Sequence, residues 1–463
     1  MKSRGGLKHY GVKMLLELRL ENFKNFKEFT VFSMVPQPEI RNLKYSVLKR
    51  KISGTREPQK ALCSSVIFGP NASGKSNLIV AVEILKRIVL RGNILDDESV
   101  NFSASSLSLA PNSFLGKNTP VYIGISFITG ELKIDYDLIL ALGGFLGNSI
   151  DRCVIGEKLS VNEKPVFDRK EGHIELYNHP IMKEKFKVKG YKDLIIQLIN
   201  EGLQPTDVFL SNGFKCLVSP ELSNLILSWF RNSLTIHYCR DEANNFSELI
   251  KSNSGNIFEN INKIANAIGI TSHSFYFKEL WRNENKTLLQ SLVKDLKGNL
   301  RSIDSETYES KGTLRLMFFV PIVLEALKKG SILFIDELEV SIHPMVIMNL
   351  VNIFHNDEIN KNLEKIFSNV GLRLKDYLDK EIIFTSNNPS LMNDNLFRLD
   401  EIKFIDRDKG GSSVVYSLSE IENNGERKNI NPIGYCKDYL LGKYGSIPTN
   451  NFDDLFFLGT NGM

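Results

Sequence analysis

Gly69-Pro70-Asn71-Ala72-Ser73-Gly74-Lys75-Ser76 decides the reading of this chain. A short apolar run, Ala61–Phe68 (ALCSSVIF), precedes it; after it, Leu78, Ile79, Val82, Leu85, Ile88 and Val89 recur with helical spacing up to Arg91. Strand, glycine-rich turn and helix, in that order, form the setting in which G-x-x-x-x-G-K-[ST] works as a phosphate-binding loop. The glycines let backbone N–H groups close around phosphates, and the following helix presents the positive end of its dipole. Lys75 then offers an ammonium to the β- and γ-phosphates, Ser76 offers a hydroxyl to magnesium, and Asn77 completes the nucleotide-contacting run. The expected ligands are ATP and Mg2+.

Ser331–Ile335 (SILFI) reads as a buried strand that ends in Asp336-Glu337. Delivered beside Ser76, Asp336 would hold the metal, and Glu337, one residue on, would polarise the attacking water. Two acids at a strand end are weak evidence alone; with the phosphate loop they gain weight. Lys75 and Asp336 stand 261 residues apart, far more than a compact P-loop domain needs between these strands, so a long insertion is expected.

Ser310-Lys311-Gly312-Thr313 opens the helix candidate Gly312–Leu327 shortly before Asp336. A serine, a glycine and helix-end N–H groups placed there suit the γ-phosphate of a nucleotide held by another subunit, although SKGT read alone is only a helix cap. Leu338–Pro344 follows the acids directly. His343 in it is either a sensor at a partner's site or a surface histidine that caps a helix. Asn387, after the strand Glu381–Thr385, stands where enzymes of this type carry a switch histidine; it can hydrogen-bond phosphate or water but cannot titrate near neutrality. Lys49–Arg50–Lys51 reads as a solvated loop or a nucleic-acid contact, Arg41 as a loop residue or a γ-phosphate contact, and Trp229 and Trp281 as packing.

With 463 residues, 42% hydrophobic and 24% charged, the chain has the composition of a globular protein too long for a single core. Its net charge of +4 neither requires nor excludes nucleic acid. No apolar stretch reaches the roughly 18 residues of a membrane helix; Leu316–Leu327 is interrupted by Pro321 and Glu325. The 5 cysteines form no CxxC and no disulfide framework, so a cytoplasmic protein without membrane contact is expected. Met14–Phe23 alternates as a half-buried strand that pairs with Phe29–Met34; Val35–Gln59 reads as loop; Val121–Phe127 and Leu132–Leu140 read as a hairpin. Leu194–Leu198, Leu222–Trp229 and Ile257–Ile268 carry helical periodicity. The expected fold is α/β: a P-loop ABC-type ATPase head with a mixed central sheet and helices. Its N-terminal part would span 1–180 and its C-terminal part 301–463, with a mostly helical lobe inserted at 181–300.

Six pieces carry a resemblance: MLLELRLENFKNFKEF from Met14, FGPNASGKSNL, SKGTLRL, LFIDELEVSIHP, IIFTSNN and YLLGKYGSIP from Tyr439. Together they resemble OLD-like, SMC-related ABC ATPases of bacterial abortive-infection systems, nearest to the AbiL and RloA type. Ser386-Asn387, where Thr-His is usual, and Lys311 in the signature depart from that pattern. The resemblance implies a homodimer or higher assembly in anti-phage defence, with ATP clamped between the Walker residues of one copy and Ser310–Gly312 of another. It also implies a nuclease or toxin effector, expected on a separate chain because little sequence follows Tyr416, and a phage protein as trigger. The alternatives are a DNA-binding repair ATPase of the RecF kind and an ATP-sensing scaffold that hydrolyses weakly.

Overall fold

The computed structural model describes residues 13–95, 109, 112, 119–142, 152–180, 190–238, 262–263, 274–279, 287–355, 380–423, 426–427 and 434–447. In chain order these carry β1 (Lys13–Glu21), β2 (Thr30–Ser33), β3 (Val47–Arg50), β4 (Gln59–Leu62), β5 (Ser64–Phe68), β6 (Val121–Thr129), β7 (Leu132–Ala141), β8 (Cys153–Val161), β9 (Lys164–Lys170) and β10 (His173–Leu176). There follow β11 (Leu234–Tyr238), β12 (Ser274–Glu279), β13 (Thr287–Lys294), β14 (Leu300–Asp304), β15 (Ile332–Asp336), β16 (Glu381–Thr385), β17 (Ile402–Arg407) and β18 (Ser413–Ser417). The helices that matter below are α1 (Lys75–Arg91), α2 (Tyr191–Gly202), α3 (Pro220–Ser233), α4 (Lys311–Lys329), α5 (Pro344–Phe354) and α6 (Tyr435–Leu440).

The phosphate-loop strand lies inside a six-stranded sheet of order β11-β15-β16-β5-β17-β18, parallel except for β18, which runs antiparallel to β17. Every residue of β5, β15 and β16 is buried, as expected of parallel strands covered on both faces. Alternation along these strands splits the interior in two. Ile67, Ile332, Phe334, Ile383 and Ile405 join α1, α3 and a second sheet in one core. Val66, Phe68, Leu333, Ile335, Phe384 and Phe404 join α4 and α5 in the other. The second sheet is antiparallel and seven-stranded, of order β10-β9-β8-β7-β6-β1-β2. In it β1 pairs with β2, Glu17 opposite Ser33, and β6 turns into β7 at Gly130, whose φ of 62° suits glycine. Trp229 of α3 stacks on Phe127 with ring centroids 3.7 Å apart, the packing role read for it.

The chain is thus α/β with a mixed central sheet, as expected, and three local readings change. Val35–Gln59 is not all loop: Val47–Arg50 forms β3, paired with β4 so that Lys49 faces Lys60. Only Leu48 of that strand is buried, too little apolar signal to mark it. Ala61–Phe68 is not one strand; the chain breaks at Cys63, β4 serving β3 and β5 the central sheet. A continuous apolar run cannot show where a chain changes sheets.

The stretch 181–300, expected mostly helical, carries α2 and α3 but also β11, β12 and β13 in its described residues, with β14 beginning at its last residue. Of these, β11 takes the edge of the central sheet with Tyr238 opposite Asp336, and β12–β14 form an antiparallel sheet of their own. The runs Leu194–Leu198 and Leu222–Trp229 fall on α2 and α3 as read, and the strands lie outside them. Apart from Asn262 and Lys263, Ile257–Ile268 lies outside the described residues, as does Trp281. Among the described residues no helix is long and apolar enough to cross a membrane.

Candidate functional site

The loop sits where close backbone approach leaves no room for side chains. A Cβ on Gly69 would collide with the Ile405 carbonyl, and one on Gly74 would come within 2.7 Å of the Ser413 Oγ. Gly74 also has φ 113° and forms the N-cap of α1, so both glycines are required by geometry. Lys75, 8% exposed, opens the helix; its Nζ donates to the carbonyls of Gly69 (2.6 Å) and Pro70 (2.9 Å). Burial pushes the Lys75 pKa down, while Glu339, Asp336 and Glu337 pull it back up. The lysine of the loop and the acids after β15 therefore share one electrostatic site, although 261 residues separate Lys75 from Asp336 in sequence.

The strand between them organises that site. β16 lies between β5 and β15, and Thr385 at its end bridges the acids. The Thr385 hydroxyl donates to Asp336 Oδ1 (2.7 Å) and accepts the Glu337 N–H (2.7 Å). Glu337 is half-buried in a left-handed conformation, φ 56°, and its carbonyl accepts from Arg315 Nη2 (2.9 Å). A non-glycine residue held at positive φ stores strain of the kind that gathers at functional sites. Asn387 is exposed, and its N–H donates to Glu339 Oε1 (2.7 Å). Glu339 Oε2 and Ser73 Oγ are buried without a partner among the described residues.

Ser310 caps α4, its Oγ accepting the Thr313 N–H at 3.1 Å. Gly312 lies against the loop after the acids, since a Cβ there would stand 2.6 Å from the Ser341 carbonyl. Ser310, Lys311, Val340, Ser341, His343 and Met345 are all exposed on this stretch. Neither Ser310 nor Gly312 hydrogen-bonds to the phosphate loop of its own chain among the described residues. His343 is the N-cap of α5, Nδ1 accepting the Met345 N–H at 3.2 Å, the capping alternative read for it. Arg41 is exposed.

The hard-oxygen donors suit magnesium: Ser76 in the first turn of α1 and Asp336, whose carboxylate Thr385 orients. Sequence reasoning missed several residues that shape the loop. Arg407 Nε and Nη2 both donate to the Ala72 carbonyl, Asn25 Nδ2 reaches the same atom at 3.4 Å, and the Asn77 amide donates to Asn25 Oδ1. Ser413 Oγ donates to the Ser73 carbonyl. Thr385 was legible as the end of a strand beside Asn387. Nothing local marks Arg407 or Ser413.

Loop, acids and the strand between them define a P-loop ATPase. Residues 154–393, just over half of the chain, match the family described as "AAA domain, putative AbiEii toxin, Type IV TA system", and the chain belongs to that family. The matched region includes the acids and Asn387 and begins after the phosphate loop. Among solved structures, the SMC head domain from Thermotoga maritima is 13% identical with a TM-score of 0.38, covering 88% of this chain and 99% of that one. The Smc head domain with an extended coiled coil bound to the C-terminal domain of ScpA, from Pyrococcus furiosus, is 12% identical with a TM-score of 0.35, covering 88% and 96%. No curated protein matches the sequence.

Proposed function

We propose that the chain binds ATP with Mg2+ and hydrolyses it at an interface between copies of itself, and that nucleotide state controls a separate nuclease or toxin in cytoplasmic anti-phage defence. The observation that carries the nucleotide part is the strand order: β5, which leads into the Lys75 loop, and β15, which ends in Asp336, both pair in parallel with β16, so that residues 261 positions apart come to the same edge of the sheet. In this reading the run Gly69–Asn77 holds the phosphates, Ser76 and Asp336 hold the metal, and Glu337 takes the proton of the attacking water. Bound Mg2+ would neutralise charge on the phosphate oxygens. The exposed Ser310–Gly312 turn beside Ser341 would finish a neighbour's pocket, with His343 at the same contact. The toxin–antitoxin wording of the family description supports a defence role.

Glu337→Gln should keep ATP binding and lower turnover by roughly two to four orders of magnitude, the usual contribution of a positioned base. Lys75→Ala should lose binding. Single-turnover hydrolysis and equilibrium nucleotide binding read the two effects, and undiminished turnover by Glu337→Gln would refute its role.

Asn387 favours a second reading, a nucleotide sensor with slow turnover. A group at that position that cannot titrate near neutrality offers binding without proton transfer. Wild-type single-turnover hydrolysis at the rate of ATP in buffer, with nucleotide binding intact, would select it.

A further inference from the structure

The sequence motif at Tyr439–Pro448 has no part in the reading above, yet the structure ties it to the phosphate loop. We propose that Arg407 is a positioning residue for that loop, set in place by the C-terminal segment Tyr435–Ile447; this rests on the nucleotide reading. β17 borders β5 on the side away from β16 and the acids. At its end, Arg407 places Nε (3.1 Å) and Nη2 (2.5 Å) on the single carbonyl of Ala72. Ala72 is the one non-glycine residue of the loop at positive φ, 63°. L-residues adopt that conformation only where their surroundings hold it.

Burial does not hold Arg407, which is exposed. Its own N–H bonds to Asp406 Oδ1 (2.8 Å), while Asp406 Oδ2 takes the N–H of Ser446 (2.6 Å). The Ser446 hydroxyl donates to the Ile405 carbonyl (2.9 Å), the atom that leaves Gly69 no room for a Cβ. Tyr439 donates to the Ser446 carbonyl (2.8 Å), and its ring packs 5.7 Å from Phe404 and 6.1 Å from Phe68, the last residue of the loop strand. The segment thus packs at the base of the loop and braces Asp406, the residue that precedes Arg407 and accepts its N–H.

The plain alternative is an arginine that merely tidies a surface turn. The two differ in what they move. Exposed arginine contacts add little to stability. A loop whose N–H groups are aimed before phosphate arrives binds tighter, because less ordering remains to be done on binding.

The test titrates a fluorescent, non-hydrolysable ATP analogue with Mg2+ into the full chain and its variants, and melts each without nucleotide. Arg407→Ala should weaken binding about tenfold, with Arg407→Lys and Tyr439→Phe each near threefold, in line with the loss of charged and neutral hydrogen bonds. The nucleotide-free melting temperature of Arg407→Ala should stay within about 3 °C of wild type. Unchanged affinity in Arg407→Ala, or a melting loss large enough to account for weaker binding, would overturn the proposal. If Lys75→Ala loses binding and Arg407→Ala does not, only this inference falls. If the wild-type chain does not bind, or Lys75→Ala binds as well as it does, the nucleotide reading falls too.

Discussion

The two ends of the central parallel sheet carry similar polar residues to opposite ends. At the carboxyl ends of its strands lie Lys75, Asp336, Glu337, Thr385 and Asn387, on two loops that hold left-handed residues at Ala72 in the first and at Glu337 and Ser341 in the second. Ser73 Oγ and Glu339 Oε2 remain there without partners among the described residues. At the amino ends, the Glu401 side chain accepts the hydroxyls of Ser46 and Ser64 and the Arg398 N–H (2.8 Å). Glu381 accepts the Leu15 N–H (2.9 Å), Arg398 forks onto Asp400 with both contacts at 2.8 Å, and Lys380 donates to the Ile353 carbonyl (2.7 Å). The amino end is buried and mostly paired within itself, with His355 Nδ1 and Gln37 Oε1 left without a partner among the described residues. The carboxyl end stores strain. Exposure and backbone separate the two ends: Glu401, Glu381, Arg398, Asp400 and Lys380 are all buried, whereas Glu337 and Glu339 are half-buried, Asn387 is exposed and left-handed residues gather at the carboxyl ends.

Glu401→Ala should break the comparison most sharply. It would leave the Ser46 and Ser64 hydroxyls and the Arg398 N–H without their acceptor in a closed interior, costing about 3 kcal/mol of stability. Nucleotide affinity, measured on the folded fraction, should not change. An affinity loss as large as the stability loss would show that the two ends are coupled.

Thr385→Val is the converse. It should lower turnover by roughly tenfold by freeing Asp336 and the Glu337 N–H, with a stability cost of about 1 kcal/mol. Steady-state hydrolysis and denaturant melts separate the two effects, and a large stability loss with normal turnover would contradict the assignment.

The smallest expected effect is a slope. Burial pushes the Glu401 carboxyl up to about 8 from its ordinary 4.5. Between those values the folded chain holds a proton that the unfolded chain has released. Stability therefore falls as pH rises through the window and levels off above it. His355, pushed down by burial to about 4 from 6.5, works in the opposite sense below pH 6.5. That leaves the interval from 6.5 to 8 to show the Glu401 slope. Glu401→Gln should flatten the pH dependence of the melting temperature there, and an unchanged slope would contradict a protonated Glu401.

Much of the phosphate-loop end was legible in sequence, and little of the amino end. The strand–loop–helix around Lys75, the acids closing β15 and the serine cap of α4 announce themselves because their signals are local: glycines where φ is positive, apolar runs ending in acids, a serine at a helix start. Glu401, Ser46 and Ser64 carry no such mark. Their pairing exists only because β5 and β17 lie side by side. The same holds for Arg407 at the loop apex and for β11, which leaves a stretch read as helical to edge the central sheet.

Local backbone chemistry thus determined by itself that a phosphate loop, a pair of acids and a capped helix exist in this chain. Tertiary packing decided that Thr385 stands between loop and acids, that Cys63 divides one apolar run between two sheets, and that a distant arginine holds Ala72. The physical reason is one of range: glycine freedom, capping and periodicity act within a few residues, whereas strand order and hydrogen bonds between remote segments arise only when the whole chain closes on its two cores.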